Sequence, residues 1–134
     1  MLDLSVTNPS KAAEEGYEFN IVLPDGTETE ATIKVRGNAS PKVREYGRRT
    51  FREMQVREQA ALRRGKPVEQ PTLEELEEKA AESASIRVIS WDKLGEDGKL
   101  IPFTEENAKA LFKKYPFIRD QVIEESDNVH NFRC

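Results

Sequence analysis

The clearest structural signal in the chain is YEFNIVLPDGTETEATIKVR, residues 17–36. Apolar and polar residues alternate over 17–23 and again over 31–36, which is typical of half-buried β-strands. Between them, Pro24 and Gly26 supply the fixed φ and the positive φ that a chain reversal requires. The segment therefore predicts a β-hairpin. Because two strands are rarely stable alone, we expect other elements to cover its apolar face.

Residues typical of helix ends divide the rest of the chain. Ser40 and Pro41 indicate a helix start, because a hydroxyl can cap the first turn and proline already has a helical φ. Gly65 indicates a helix end. Thr72 and Glu75 match a capping box, in which each side chain satisfies the other's backbone donor. With further starts at Thr104 and Pro116, the predicted helices cover residues 41–64, 72–90, 104–114 and 116–125.

The predicted fold class is α+β, a hairpin over 17–36 followed by four helices. One domain covers residues 17–126, between a flexible arm at 1–16 and a polar tail at 127–134. Residues 86–91 allow two interpretations, because this apolar segment could continue the second helix or become extended. The predicted core is Phe19, Ile21, Ile33, Val35, Phe51, Trp91, Phe103, Leu111, Phe117 and Ile118.

The composition favours a small core under a highly charged surface. Charged residues make up 34% of the 134 residues and hydrophobic residues 37%, and the net charge of −4 argues against wholesale nucleic-acid binding. No apolar run approaches the roughly 18–20 residues that span a bilayer, and the N-terminus lacks a secretory signal. Cys134, the single cysteine, allows no internal disulfide. We therefore expect a cytosolic protein without membrane contact.

Catalysis by a nucleophile and a base would depend on His130 and Cys134, the single histidine and the single cysteine. Both lie in the polar tail, where nothing holds the geometry that such a pair requires. A structural zinc site requires four ligands of these two types. The glutamates at 74–78 lie on a predicted helix face that water reaches, as in a solvated surface. The sequence predicts no enzyme, no metal and no cofactor.

A basic segment directly precedes an acidic one. Residues 42–66 contain nine Lys or Arg and three Asp or Glu, a balance of +6, whereas residues 69–82 contain six Glu and one Lys, a balance of −5. Arginines could contact phosphates, which dominate nucleic-acid affinity. Against this, the acidic helix could fold back over the basic one, and no aromatic residues are interleaved to stack on bases. The candidate interaction surface is Arg44, Arg48, Arg49 and Arg52.

The order of several short motifs resembles the tail assembly chaperones of long-tailed bacteriophages. The resemblance spans roughly residues 17–132 and includes the hairpin and the helix start at Ser40-Pro41. Its C-terminal motifs are Trp91, Asp97-Gly98, Phe103-Thr104, Asn107-Ala108, Pro116, Ile118, Gln121-Val122 and Asn131-Phe132. The arginine-rich helix at 41–64 departs from the family pattern, which leaves room for a different client.

The resemblance implies a largely helical protein that self-associates and works in the host bacterial cytoplasm. Such a chaperone would coat the tape-measure protein, bring tail-tube subunits to it, and be absent from the finished virion. The alternative is a small nucleic-acid-binding or regulatory phage protein that uses the basic segment 42–66.

Overall fold

The computed structural model describes residues 9–68 and 70–132. Its architecture is α+β, as the sequence predicts, with helices packed on a three-stranded sheet. In chain order the elements are α1 (Pro9–Glu15), β1 (Tyr17–Val22), β2 (Glu28–Val35), α2 (Pro41–Arg64), α3 (Leu73–Arg87), β3 (Val88–Asp92), β4 (Gly95–Glu96), β5 (Lys99–Leu100), α4 (Glu105–Lys114), α5 (Pro116–Asp127) and a C-terminal 3₁₀ helix (Val129–Phe132).

The predicted hairpin is confirmed as β1 and β2. The strands are antiparallel, and Phe19 lies opposite Ile33. The reversal uses Gly26 at φ +91°, a conformation that suits glycine, and the Leu23 amide donates to the Thr27 carbonyl at 2.8 Å. Alternation along β1 buries Phe19 and Ile21 and exposes their neighbours. The apolar face therefore points to the helices, and the polar face to solvent.

The second helix is shorter than the sequence predicts. It was expected over 72–90, but α3 ends at Arg87 and the chain continues as β3, which pairs antiparallel with β2. Arg36 stabilises this junction, because its guanidinium donates to the carbonyls of Ile86 and Val88 at 2.9 and 2.8 Å. Pairing with β2 satisfies backbone groups of Val88–Asp92 that a longer helix would have satisfied internally.

The core lies between the sheet and helices α3, α4 and α5. Phe112 of α4 is fully buried at its centre. Of the predicted core residues, Phe19, Ile21, Ile33, Val35, Leu111 and Ile118 are buried. Trp91, Phe103 and Phe117 are partly buried and pack against the core. The indole of Trp91 donates to the Ile101 carbonyl at 2.7 Å, so its polar edge is satisfied.

The prediction that Phe51 belongs to the core is wrong, because 62% of its surface is exposed. Val43 and Tyr46 in the first half of α2 are buried, but residues 51–59 are all exposed. A helix of 24 residues is about 36 Å long, which is more than the small body can cover. The second half of α2 therefore has solvent around the side chains that the sequence pattern assigned to a core.

Helix α2 begins at Pro41 as predicted, but Ser40 does not cap it through its side chain. Pro41 occupies the first turn as predicted, but the hydroxyl of Ser40 makes no capping hydrogen bond to the helix. That oxygen is buried and has no hydrogen-bond partner among the described residues. Thr72 and Thr104 do cap α3 and α4, since their hydroxyls accept from the amides of Glu75 and Asn107 at 3.2 and 3.0 Å.

The two ends of the chain are more ordered than an arm and a tail. The arm was predicted over 1–16, yet Pro9–Glu15 forms α1, with Ala12 and Ala13 buried; residues 1–8 lie outside the described residues. In the predicted tail, 127–134, the 3₁₀ helix brings Phe132 against Tyr17, with ring centroids 6.4 Å apart. Both ends pack on Gly37.

Candidate interaction surface on the second helix

Helices α2 and α3 form an antiparallel pair that extends the body of the protein. Arg49 of α2 forms an ion pair with Glu82 of α3 at 3.7 Å, and Glu53 forms one with Lys79 at 3.5 Å. The partner numbers fall along α3 as those along α2 rise, so the helices run in opposite directions. The acidic helix thus folds back beside the basic one, which the sequence analysis left open.

Large apolar side chains are exposed along the part of this pair that lies far from the sheet. From here on, we use the word arm only for this part, which consists of residues 51–64 of α2 and 73–79 of α3 and is unrelated to the N-terminal segment 1–16. Its exposed apolar side chains are Phe51, Met54, Val56, Leu62, Leu73 and Leu76, each at least half exposed. Single exposed apolar residues are common on protein surfaces, but a group of this size on one projection is typical of an interaction site.

Three of the four candidate arginines lie together on one face of α2. Arg44, Arg48 and Arg52 are spaced four residues apart, so they occupy successive turns of the same face, and Phe51 lies between the last two. With Gly47 these residues line a shallow depression of about 460 Å³. We call these five residues the arginine face. It presents an aromatic ring and three guanidinium groups around a gap where a helical side chain is missing.

The fourth candidate, Arg49, does not belong to this face. Its guanidinium lies toward α3, where it pairs with Glu82 and stands 5.4 Å from the ring centre of Tyr46. Burial, followed by the charge of Glu82, raises the pKa of the Tyr46 hydroxyl above its usual 10.0. Arg49 therefore helps to hold α2 on α3, whereas the sequence analysis grouped it with Arg44, Arg48 and Arg52.

The arginine face forms few ion pairs with the rest of the chain. Arg48 lies 3.4 Å from Glu45, and both side chains are about three-fifths exposed, so this pair contributes little free energy. Within residues 9–68 and 70–132, neither Arg44 nor Arg52 forms an ion pair. The positive charge of this face is consequently available to a partner.

Some glutamates of α3 form ion pairs within the fold, and others are exposed to solvent. Glu78 pairs with Lys109 and Lys113 of α4 at 3.3 and 3.6 Å. A hydrogen bond from Lys109 and the charges of both lysines hold the pKa of the Glu78 carboxyl below its usual 4.5. Glu74 and Glu77 are exposed, as the sequence analysis expected for a solvated face. Part of the acidic segment thus joins α3 to α4.

Of the two residues considered for catalysis and zinc binding, the structure describes only His130. His130 is exposed in the C-terminal 3₁₀ helix, and its backbone amide donates to the Asn128 side chain at 3.1 Å. Cys134 lies outside the described residues. Across 9–68 and 70–132, no group of three or more His, Cys, Asp or Glu is placed to hold a metal ion. No helix in these ranges is both long and apolar enough to cross a membrane.

The sequence analysis missed Gly47 and the exposed position of Phe51. A glycine inside an otherwise regular helix is a usable signal, because glycine costs about 0.5–1 kcal/mol there relative to alanine. A Cβ added at Gly47 would have nothing within 4 Å, so no neighbour of the chain itself requires the glycine. Together with the four-residue spacing of the arginines, Gly47 could have located the depression.

Comparison with known proteins identifies the chain's origin. Residues 41–134 match the family model described as YdaY prophage protein, which extends from α2 to the C-terminus and omits the β1–β2 hairpin. No curated protein and no solved structure matches the chain. The matched region is more than half of the chain and includes the arginine face and the arm. The chain therefore belongs to the YdaY prophage protein family and is phage-derived.

Proposed function

We propose that this phage-derived protein is a non-catalytic tail assembly chaperone that acts in the host cytoplasm. It binds the tape-measure protein, recruits tail-tube subunits, and is absent from the mature virion. The observation that carries the proposal is the arm, where six large apolar side chains are exposed between charged residues. A chaperone for an aggregation-prone helical client requires such a surface, because it must cover apolar side chains of the client without enclosing them permanently.

The exposed apolar side chains of the arm can supply enough free energy for reversible binding. Burying one large apolar side chain contributes about 1.5–3 kcal/mol, so the six side chains together contribute about 9–18 kcal/mol. After an association cost of at least about 4 kcal/mol, this range includes the about 8 kcal/mol of micromolar binding. The surrounding charges fix the register of the contact more than its strength, and they make it sensitive to salt. We also propose that the free chain self-associates through the arm, which sedimentation velocity would measure as a concentration-dependent mass.

Co-expression with the tape-measure protein of the same phage tests the chaperone function. The soluble fraction of the tape-measure protein should rise with the wild-type chain. It should fall again when Met54 and Leu62 of the arm are replaced by serine. The matched control replaces Leu100 and Val129, which are also exposed but lie outside the arm. A soluble fraction that is unchanged by the wild-type chain contradicts the proposal.

Nucleic-acid binding by the basic segment is the second candidate, and one observation favours it. Arg44 and Arg52, unpaired among the described residues, lie on the same face as Arg48. Binding to mixed-sequence DNA at about 100 mM salt tests it, with the three arginines replaced by glutamate. Loss of a measurable affinity in that variant would support this candidate. Absence of DNA binding by the wild-type chain would eliminate it.

A further inference from the structure

We infer that the arginine face is a docking site for an acidic amphipathic helix of a partner protein. The inference rests on the proposed chaperone function and names the chemistry of the segment that this face would contact. The contact has two parts, an apolar side chain of the partner in the depression over Gly47 and carboxylates of the partner on the three arginines.

The depression provides the apolar part. Its base is the backbone of α2 at Gly47. Apart from the two neighbouring residues and the nearby helix backbone, no described atom lies within 4 Å of the place that a Cβ of this residue would take. Phe51 forms one wall, and more than half of its surface is exposed. A leucine or phenylalanine projecting from a partner could rest on the Gly47 backbone and against the Phe51 ring. Such a contact buries apolar area that now faces water.

The arginines provide the charged part and select a helix. Residues four apart on α2 are separated by about 6 Å along the axis, so the three guanidinium groups span about 12 Å. Glutamates spaced four residues apart on a partner helix have the same repeat, which permits one carboxylate for each arginine. Arginine binds carboxylates through two parallel hydrogen bonds, which adds direction to the attraction.

The same observations disfavour a nucleic acid as the occupant. The depression beside Phe51 is lined mainly by apolar surface, which a helix side chain can fill. A partner with both carboxylates and apolar side chains uses every feature of this face.

A synthetic helical peptide tests the inference directly. The probe is a peptide of about 20 residues with glutamates at three positions four residues apart and leucines on the same face, long enough to be helical in water. Its matched counterpart has glutamine in place of the three glutamates. Fluorescence anisotropy at low salt should show that the full chain binds the glutamate peptide about tenfold or more tightly than the glutamine peptide.

Variants then locate the binding site. The variant R44E/R48E/R52E should bind the glutamate peptide at least about tenfold more weakly than the wild type, and F51A should weaken both peptides. The matched control R57E/R63E/R64E changes the same number of charges on the same helix, at exposed positions outside the depression. It should alter the affinity by less than about threefold. Circular dichroism melts of all variants verify that the fold is retained.

Four outcomes would overturn the inference. The two peptides could bind equally, or both triple variants could lose the same affinity, which would indicate a general charge effect. DNA could bind more tightly than the glutamate peptide and be lost in R44E/R48E/R52E, which would assign the face to nucleic acid. Finally, this variant could abolish self-association without changing peptide binding, which would assign the face to a second copy of the chain.

The outcome is separable from that of the chaperone function. If the wild-type chain raises the solubility of the tape-measure protein but binds the two peptides equally, the docking inference fails and the chaperone function stands. If the peptide results are as expected and the tape-measure protein is unaffected, the docking site stands and its client is a different acidic helix.

Discussion

Gly37 lies between α1 and the C-terminal 3₁₀ helix, and replacing it with alanine tests how closely these two helices pack on it. An added Cβ would lie 2.9 Å from the Cβ of Ala13 and 3.0 Å from ring carbons of Phe132. These distances are well below van der Waals contact, so α1 or the C-terminal 3₁₀ helix must shift. The amide of Gly37 also donates to the Ala13 carbonyl at 3.0 Å, which resists displacement of α1.

The expected cost follows from two opposing effects. Overpacking a closely packed contact costs about 1–3 kcal/mol. Replacing glycine with alanine also reduces the entropy of the unfolded chain, which stabilises the fold by about 0.4–1 kcal/mol where the backbone conformation suits both residues. Gly37 does not have the positive φ that alanine would resist. We therefore expect Gly37→Ala to lower the free energy of unfolding by about 1–2 kcal/mol.

Urea denaturation followed by circular dichroism measures this change, with Gly47→Ala as the matched control. Gly47 lies inside α2 with open space around it, so its replacement should raise the free energy of unfolding by about 0.5–1 kcal/mol. Adding Phe132→Ala to Gly37→Ala should relieve the part of the overlap that involves the ring, with a coupling energy of at least about 0.5 kcal/mol. A Gly37→Ala protein as stable as the wild type would refute the close packing of the two ends.

Three further predictions concern the core, an ion pair and a helix cap. Phe112→Ala should cost about 3–5 kcal/mol of stability, whereas Phe51→Ala should cost less than about 0.5 kcal/mol, both by urea denaturation, because only Phe112 is buried. Because the pKa of Glu78 is lower in the folded protein, its ion pairs stabilise the fold at pH values above the usual pKa of 4.5, and this contribution is lost as the pH falls through the lowered pKa. The free energy of unfolding of Glu78→Gln should therefore fall less steeply with acid than that of the wild type. Thr104→Ala should lower the thermal stability by an amount equivalent to about 1 kcal/mol, because the first turn of α4 loses its side-chain cap.

Part of the interaction surface could be predicted from the sequence, and part could not. The four-residue spacing of Arg44, Arg48 and Arg52 is visible in the sequence and places them on one side of any helix. The separate position of Arg49 depends on the direction in which α3 packs, which no residue of α2 specifies. The exposure of Phe51 likewise depends on where the body of the protein ends along α2.

The sequence by itself determined the local elements. The hairpin follows from alternation and from Gly26, and α2 runs from Pro41 to Arg64, the predicted range. Gly65 closes that helix at φ +66°, and its amide donates to the Leu62 carbonyl at 3.1 Å. Such signals are readable because caps and turns depend on residues within about one turn of one another.

Only the tertiary structure decided which faces are covered. Val88–Asp92 has enough apolar content for a helix or a strand, and the free edge of β2 makes it a strand. Phe132 packs against Tyr17 and Gly37, which are more than ninety residues away in sequence, although the tail around it is polar. Burial depends on contacts between residues distant in sequence, so a periodic pattern can indicate an apolar face without indicating what covers it.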